Sequence, residues 1–183
     1  YGIENISWYP TAIIENNIVR NNRARGFLVS VPRKVIIRNN HVSSQMAAIL
    51  VSGDLALWNE SGPTDSLIIE NNTFENCAYG GNRVHAIFSI EPDYVDKNNI
   101  NESYSRNIFI RNNQIKTFDS PILLATSVDG IVFEGNTIEQ TNAYEPIFPN
   151  TPNLKIVNCN RVVIGNNTYK SLSGKEGTLS IDE

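Results

Sequence analysis

The chain has 183 residues and a formal net charge of −4, so it can build one domain with a real core and offers no basic surface for nucleic acid. No apolar run approaches the length of a membrane span, and two cysteines, Cys77 and Cys159, do not make a disulfide framework. The unusual feature is 26 asparagines that alternate with Ile and Val in a fixed order. This order predicts a repeat and not a disordered Asn-rich tract.

Each copy of the repeat begins with a short apolar run that is followed by an Asn pair. Six copies, which read AIIENN, VIIRNN, LIIENN, IFIRNN, IVFEGN and VVIGNN, start at Ala12, Val35, Leu67, Ile108, Ile131 and Val162. The last Asn of each copy is, in order, Asn17, Asn40, Asn72, Asn113, Asn136 and Asn167. The shortest spacing occurs twice, so we take it, about 23 residues, as the bare coil. The three longer spacings are interpreted as coils that carry insertions.

A second apolar run follows each of the first five anchors, at Gly26–Ser30, Ala47–Ser52, His85–Ile90, Pro121–Thr126 and Pro146–Pro149. Short β-branched runs that are punctuated by Asn, Gly and Pro favour strands over helices. Two or three strands per coil predict an all-β fold, a right-handed single-stranded parallel β-helix of about six coils over residues 1–183. Residues 171–183 are polar and are predicted to form a C-terminal cap or tail.

The recurring Asn pairs are interpreted as part of the scaffold. Equivalent residues of a β-helix stack about 4.8 Å apart. A turn Asn tolerates the left-handed backbone region, and stacked Asn side chains can bond one another as a ladder. We therefore assign these asparagines no chemistry.

Function is expected in the segments that are added to this scaffold. Three insertions follow the second apolar run, at Gly53–Ser66, Pro92–Asn107 and Asn150–Arg161, so all three are predicted to project from one side. A shorter excess, Tyr79–Arg83, precedes the second run of the third coil.

Two carboxylates, Asp54 and Glu91, lie where two of these insertions begin. Aligning Ala48 with Ala86 places them within one position of the same phase, so they are predicted to lie about 5–10 Å apart. Paired carboxylates on a rigid face suit glycoside hydrolysis, in which one protonates the leaving oxygen and the other activates water or attacks the sugar. The alternative is that each carboxylate only caps a turn.

Further candidates lie on the loop from Asp54 to Gly62 and in the first coil. Trp58 could stack on a sugar face or cover the apolar column, while Asn59 and Glu60 offer hydrogen bonds to hydroxyls. Arg23 and Arg25 precede the first coil's second run. Each guanidinium could bind substrate or hold a catalytic carboxylate ionised, or it could belong to a solvated turn.

Four pieces of sequence occur in order and carry a family resemblance. They are Glu4–Pro10 (ENISWYP), Arg20–Gly26 (RNNRARG), Gly53–Leu55 (GDL) and Trp58–Gly62 (WNESG). Together they resemble glycoside hydrolase family 110, the α-galactosidases that remove terminal α-1,3-linked galactose. The specific resemblance covers roughly residues 4–92. It implies a bacterial β-helix enzyme that inverts configuration, needs no metal or other cofactor, and acts on glycans such as the blood-group B determinant.

One departure from the family pattern limits what the resemblance implies for the site. The family's catalytic carboxylates are associated with an Asp-Asp pair in an earlier coil, and this chain contains no Asp-Asp. That pair is expected upstream of Tyr1. Asp54, Glu60 and Glu91 are then substrate contacts or one half of the catalytic set, and the chain alone is expected to be inactive or nearly so.

Two alternative functions stay open at this point. The chain could be a non-catalytic carbohydrate-binding or surface solenoid, or a β-helix polysaccharide lyase. The lyase ranks lower because no dense acidic cluster has a neighbouring Lys or Arg. The resemblance implies a periplasmic, secreted or cell-surface location, and the exposed coil edges of a solenoid predict a homodimer.

Overall fold

A computed structural model describes residues 5–53, 62–81, 85–92 and 103–182. It contains three parallel six-stranded sheets, and each coil contributes one strand to each sheet. The predicted parallel β-helix of six coils is thereby confirmed. Within the described residues the only helical element is a single 3-10 turn at Ile6–Trp8.

The strands follow one another around the coil in the order first, second and third sheet. The first sheet consists of β1 (Ala12–Glu15), β4 (Val35–Arg38), β7 (Asp65–Glu70), β10 (Ser105–Arg111), β13 (Val128–Glu134) and β16 (Asn160–Gly165). The second consists of β2 (Ile18–Asn22), β5 (His41–Ser44), β8 (Thr73–Glu75), β11 (Gln114–Thr117), β14 (Thr137–Gln140) and β17 (Thr168–Lys170). The third consists of β3 (Phe27–Val29), β6 (Ile49–Val51), β9 (Phe88–Ile90), β12 (Leu123–Thr126), β15 (Leu154–Val157) and β18 (Ile181–Asp182).

The register of the first sheet is the one that the repeat predicts. The six anchor residues that start the apolar runs pair in sequence from coil to coil, as Ala12, Val35, Leu67, Ile108, Ile131 and Val162. A one-residue slip would turn every apolar side chain outward, so the alternation of buried and half-buried positions fixes this register.

The corner between the first and second sheets always consists of the Asn pair alone. The first member has a positive φ of 54° to 60° in the five coils where it is Asn. In the fifth coil Gly135 takes its place with φ of 64°. Asn and Gly are the residues that adopt this left-handed conformation at least cost, so the substitution of one for the other shows what the position requires.

The second member of the pair forms a continuous amide ladder. From Asn17 to Asn167, each side-chain amide donates to the Oδ1 of the next coil's Asn at 3.0 to 3.1 Å. The same Oδ1 accepts the backbone N–H of the preceding coil's Asn at 2.9 to 3.0 Å. The four middle rungs are buried, at Asn40, Asn72, Asn113 and Asn136. The predicted scaffold role of the Asn pairs is therefore confirmed.

Inward side chains of all three sheets form one apolar column. Ile37, Ile69 and Ile110 are fully buried on the first sheet. Phe74 of the second sheet meets Phe88 of the third edge to face, with ring centroids 4.9 Å apart. In the two end coils Val29 is buried, whereas other apolar residues such as Ile14 and Ile164 are only partly buried against the column. The expected homodimer stays a prediction.

The third strand of the fifth coil lies later than the sequence indicated. Pro146–Pro149 does not form it, and β15 (Leu154–Val157) pairs with β12 instead. Two prolines without backbone N–H groups make the earlier segment a poor strand. The placement of the third insertion at Asn150–Arg161 is therefore wrong, since that range contains β15 and the start of β16. The extra residues are 141–153, which precede the third sheet.

The predicted alignment of the second and third coils is wrong by one residue. Ile49 pairs with Phe88 and Val51 with Ile90, so Ala48 lies level with Ile87 and not with Ala86. The N–H of Glu91 donates to the carbonyl of Val51 at 3.1 Å, which continues this register to the end of β9. Glu91 is therefore level with Ser52 and not with Gly53, as the predicted alignment implied.

Candidate functional site

A cleft lies on the outer face of the third sheet, with a volume of about 560 Å³. Its floor is formed by β12 and β15, one end by Glu91 and one wall by residues 150–152. Two of the predicted insertions leave β6 and β9 at the border of this same sheet. Both connections start at the same border of the sheet, while their projection from one side stays a prediction because most of their residues lie outside the described ranges.

The floor of the cleft consists of two rows of outward side chains, which the register of the third sheet aligns from strand to strand. In the first row Leu124 pairs with Lys155 across β12 and β15; its partner on β9, Ser89, is fully buried and does not line the cleft. In the second row Thr126 pairs with Val157, and Glu91 follows Ile90, the partner of Ala125. Successive strands are about 4.8 Å apart, so side chains of unlike chemistry stand within reach of one small ligand.

This floor combines an apolar patch with hydrogen-bonding groups. Leu124 is 9% exposed and Val157 37% exposed. Thr126 contributes a hydroxyl, Lys155 an exposed ammonium and Glu91 a half-buried carboxylate. A sugar presents both C–H groups and hydroxyls, and a pocket with a few placed polar groups beside apolar surface suits such a ligand.

The wall of the cleft comes from Asn150, Thr151 and Pro152. Asn153 follows them and fixes the end of the wall, because its carbonyl accepts the N–H groups of Ile122 and Leu123 at 2.9 and 3.0 Å. The wall and Lys155 were missed at the sequence level because the third strand of the fifth coil was assigned to Pro146–Pro149. The Asn-Leu-Lys-Ile-Val run that begins at Asn153 carried the correct signal.

Among the predicted site residues, the structure places Glu91 in the cleft but not the two arginines. Arg23 and Arg25 are exposed and precede β3 in the first coil. They lie at the border where the third-sheet strands begin, two coils from β9, whereas Glu91 lies where β9 ends. Asp54, Trp58, Asn59 and Glu60 lie outside the described residues, so the predicted Asp54–Glu91 pair stays a prediction.

The outer faces of the other two sheets carry alternating charges. On the first sheet Glu15 and Arg38 form an ion pair at 2.6 Å, and Glu70 and Arg111 form another at 2.9 Å. On the second sheet Glu75 binds His41 at 2.8 Å and Lys116 at 3.8 Å. Each of these carboxylates contacts a basic side chain on the neighbouring coil, so its charge is not left without a partner.

A further polar cluster lies where the third sheet leads into the first. The guanidinium of Arg161 donates to Asp129 at 2.7 Å and to the Oδ1 of Asn107 at 3.5 Å. Asn107 in turn donates to Asp65 at 2.9 Å. The hydrogen bond and charge of Arg161 hold the pKa of the Asp129 carboxyl below its ordinary value. This cluster joins neighbouring coils of the scaffold.

The two cysteines are free thiols, as the sequence indicated. Burial raises the pKa of Cys77 to about 11, so that its thiol stays protonated at neutral pH. Within the described ranges no group of three or more His, Cys, Asp or Glu side chains is placed to hold a metal ion. Across the same part of the chain, no helix has the length and apolarity to cross a membrane.

Comparison with known proteins identifies several alpha-1,3-galactosidases as relatives. An alpha-1,3-galactosidase B of Phocaeicola vulgatus is 42% identical over 158 residues, which are 82% of this chain and 26% of that protein. An alpha-1,3-galactosidase B of Bacteroides thetaiotaomicron is 40% identical over 172 residues, 91% of this chain and 27% of that protein. An alpha-1,3-galactosidase A of Bacteroides fragilis is 36% identical over 172 residues, 92% of this chain and 28% of that protein.

The predicted resemblance to the α-1,3-galactosidases is confirmed. No protein-family model matches the chain. The similarity to the galactosidases extends over 82% to 92% of the chain, well beyond the four motifs at residues 4–92 that first indicated it. The chain spans about a quarter of the length of the curated galactosidases that it matches.

Proposed function

We propose that this chain is the downstream part of a glycoside hydrolase that removes terminal α-1,3-linked galactose from glycans. The observation that carries the proposal is the coincidence of two findings. The cleft with Glu91 lies at the sheet border that carries two long insertions, in a chain whose relatives are named α-1,3-galactosidases.

The cleft is suited to hold one sugar unit of such a glycan. The patch formed by Leu124 and Val157 packs against the C–H face of the ring, because burying that surface removes apolar area from water. Glu91 accepts hydrogen bonds from ring hydroxyls, and Lys155 donates to them. Charge-assisted hydrogen bonds of this kind are about twice as strong as neutral ones, so they fix the orientation of the sugar.

The reaction that we propose is hydrolysis with inversion. It requires a general acid and a general base about 6.5–9.5 Å apart, with a water molecule between the base and the sugar. Glu91 is the carboxylate among the residues that line the described cleft. We propose that it contacts the substrate or supplies one half of this pair. The remaining carboxylates come from Asp54, Glu60 or the Asp-Asp pair that is expected upstream.

The whole activity is tested with the full-length protein that carries this chain. We expect it to release galactose from an α-1,3-linked digalactoside and to give the β-anomer first, as read by proton NMR of the fresh products. Release of the α-anomer, or no cleavage of the linkage, would contradict the proposal.

The site is tested with two matched carboxamide variants of the same protein. We expect Glu91→Gln to lower kcat/KM by roughly 10- to 100-fold, because the change removes one charge-assisted hydrogen bond to the substrate. Glu70→Gln is the control, since Glu70 lies on the first sheet in an ion pair with Arg111. Equal kcat/KM for the two variants would remove Glu91 from the site.

If the chain were a non-catalytic carbohydrate-binding solenoid, the opposite results would be expected. The chain alone would then bind an α-galactosyl glycan, as measured by calorimetry, while the full-length protein would leave the linkage intact.

We further propose a periplasmic, secreted or cell-surface location, because large glycans do not reach the cytoplasm without prior cleavage. Resistance of the protein to added protease in intact cells and in cells with a permeabilised outer membrane would contradict that location.

A further inference from the structure

We propose that Asp119 is a positioning residue that holds one wall of the sugar cleft in its binding shape. The wall segment, residues 141–153, connects β14 to β15 and carries Asn150, Thr151 and Pro152 into the cleft. The proposal rests on the proposed function for the identity of the ligand. Its structural half rests on contacts of the wall segment alone.

The carboxylate of Asp119 is the main anchor of the wall segment. It accepts the N–H of Ile147 at 3.0 Å and the N–H of Phe148 at 2.9 and 3.1 Å. It also accepts the N–H of Ser120 at 2.9 Å. Asp119 is only 8% exposed, and hydrogen bonds from backbone N–H groups to a buried carboxylate are among the strong ones in proteins.

The anchor itself is held rigidly at the start of the third sheet. The hydroxyl of Thr117 donates to the carbonyl of Asp119 at 2.8 Å and accepts its N–H at 3.2 Å. Asp119 lies between β11 and β12, and β12 forms the floor of the cleft. The same short segment therefore sets both the floor and the position of the wall.

Three further contacts hold the two ends of the wall segment. Near its beginning, Tyr144 stacks on Tyr79 with ring centroids 5.2 Å apart and meets Phe118 edge to face at 5.1 Å. At its end, the side-chain amide of Asn153 donates to the carbonyl of Ser120 at 2.7 Å. In the middle of the segment, the hydroxyl of Ser120 donates to the carbonyl of Pro149 at 3.1 Å. Asp119 is the group that binds Ile147 and Phe148, directly before that contact.

The consequence for binding is a wall that is formed before the glycan arrives. The wall segment contains no regular secondary structure, so without an anchor it would lose conformational entropy when the ligand binds. A rigid wall avoids that cost. Loss of Asp119 is therefore expected to raise KM and to leave the chemical step largely unaffected.

The experiment compares Asp119→Asn and Asp119→Ala with the wild-type full-length protein. In both variants we expect faster hydrogen exchange at the amides of Ile147 and Phe148, and a KM for the digalactoside that rises roughly 10-fold, with kcat changed less than about threefold. Asn136→Ala is the matched control, since it removes a buried hydrogen-bonding side chain at another corner of the coils, between the first and second sheets. It is expected to lower the melting temperature and to leave KM unchanged.

The outcomes separate the two levels of the proposal. Hydrogen-exchange rates at Ile147 and Phe148 that stay at the wild-type level in both Asp119 variants would overturn the proposal that Asp119 holds the wall segment. A KM at the wild-type level would overturn it as well. A KM in Asn136→Ala that rises as much as in the Asp119 variants would also overturn it, because the effect would then follow stability alone. If the wild-type protein releases no galactose, the proposed function fails, while hydrogen exchange still decides whether Asp119 holds the wall.

Discussion

The outer face of the first sheet and the outer face of the third sheet belong to the same coils but differ in chemistry. On the first sheet, Glu15, Arg38, Glu70 and Arg111 alternate in sign from coil to coil, and each has an opposite charge as its neighbour. On the third sheet, Leu124 and Thr126 carry no charge, and Lys155 with Asp182 is the single pair of opposite charges in register among the described strands. Stacked coils bring equivalent residues side by side, which favours charges that alternate in sign. A face with few such charges therefore marks a surface with a role other than joining the coils.

The largest expected effect concerns the Asn ladder, which joins the coils that carry both faces. Asn72→Ala removes buried hydrogen bonds to Asn113, to Asn40 and to the carbonyl of Ile37. We expect a loss of about 3 kcal/mol in the free energy of unfolding, because buried donors are left unsatisfied. Urea unfolding measures it. Asn17→Ala, in the exposed first coil, is expected to cost about 1 kcal/mol, and equal losses would contradict the ladder argument.

A smaller effect separates the faces directly through two lysines. Lys155→Met removes the ammonium from the cleft, and we expect KM for the digalactoside to rise roughly 3- to 10-fold. Lys116→Met removes an ammonium from the second sheet, where its pairing with Glu75 at 3.8 Å is exposed. Exposed pairs contribute little, so KM is expected to stay within about twofold of wild type. Equal KM values for the two variants would erase the distinction between the faces.

The smallest effect concerns pH and the cluster around Asp129. Arg161 lowers the pKa of Asp129 in the folded state, so the stabilisation is present above about pH 4. It is lost as the pH falls through the lowered folded-state pKa. We therefore expect the urea midpoints of wild type and Asp129→Asn to differ at pH 6 and to converge at strongly acidic pH. A difference that does not change with pH would contradict the assigned role of Arg161.

The part of the fold that repeats was predictable from the sequence. Anchor residues from Ala12 to Val162 pair as their spacing indicates, because the Asn corner has a constant length and carries a chemical signature in every coil. The second sheet was not assigned strand by strand. Runs such as His41–Ser44 are short and half polar, since only alternate residues face the core.

The part of the site that depends on the variable borders was predicted less well. Glu91 was singled out because it directly follows a strong apolar run, and the structure places it at the candidate cleft, while its role stays a prediction. Lys155 and the wall were missed because the apolar Pro146–Pro149 mimics a strand in composition but lacks the N–H groups to form one. Asp119 was missed because a buried carboxylate that binds backbone N–H groups leaves no periodic signal.

The constant length of the Asn corner has a consequence for which insertions and deletions the sequence can accept. The largest differences in coil length lie at the two borders of the third sheet, where connections range from the single residue Ser127 to the long stretch 91–104. Insertions and deletions there leave the pairing of the other sheets unaltered. Natural variation, or a protein engineer, can therefore exchange one recognition loop at a time while the rest of the coil keeps its register.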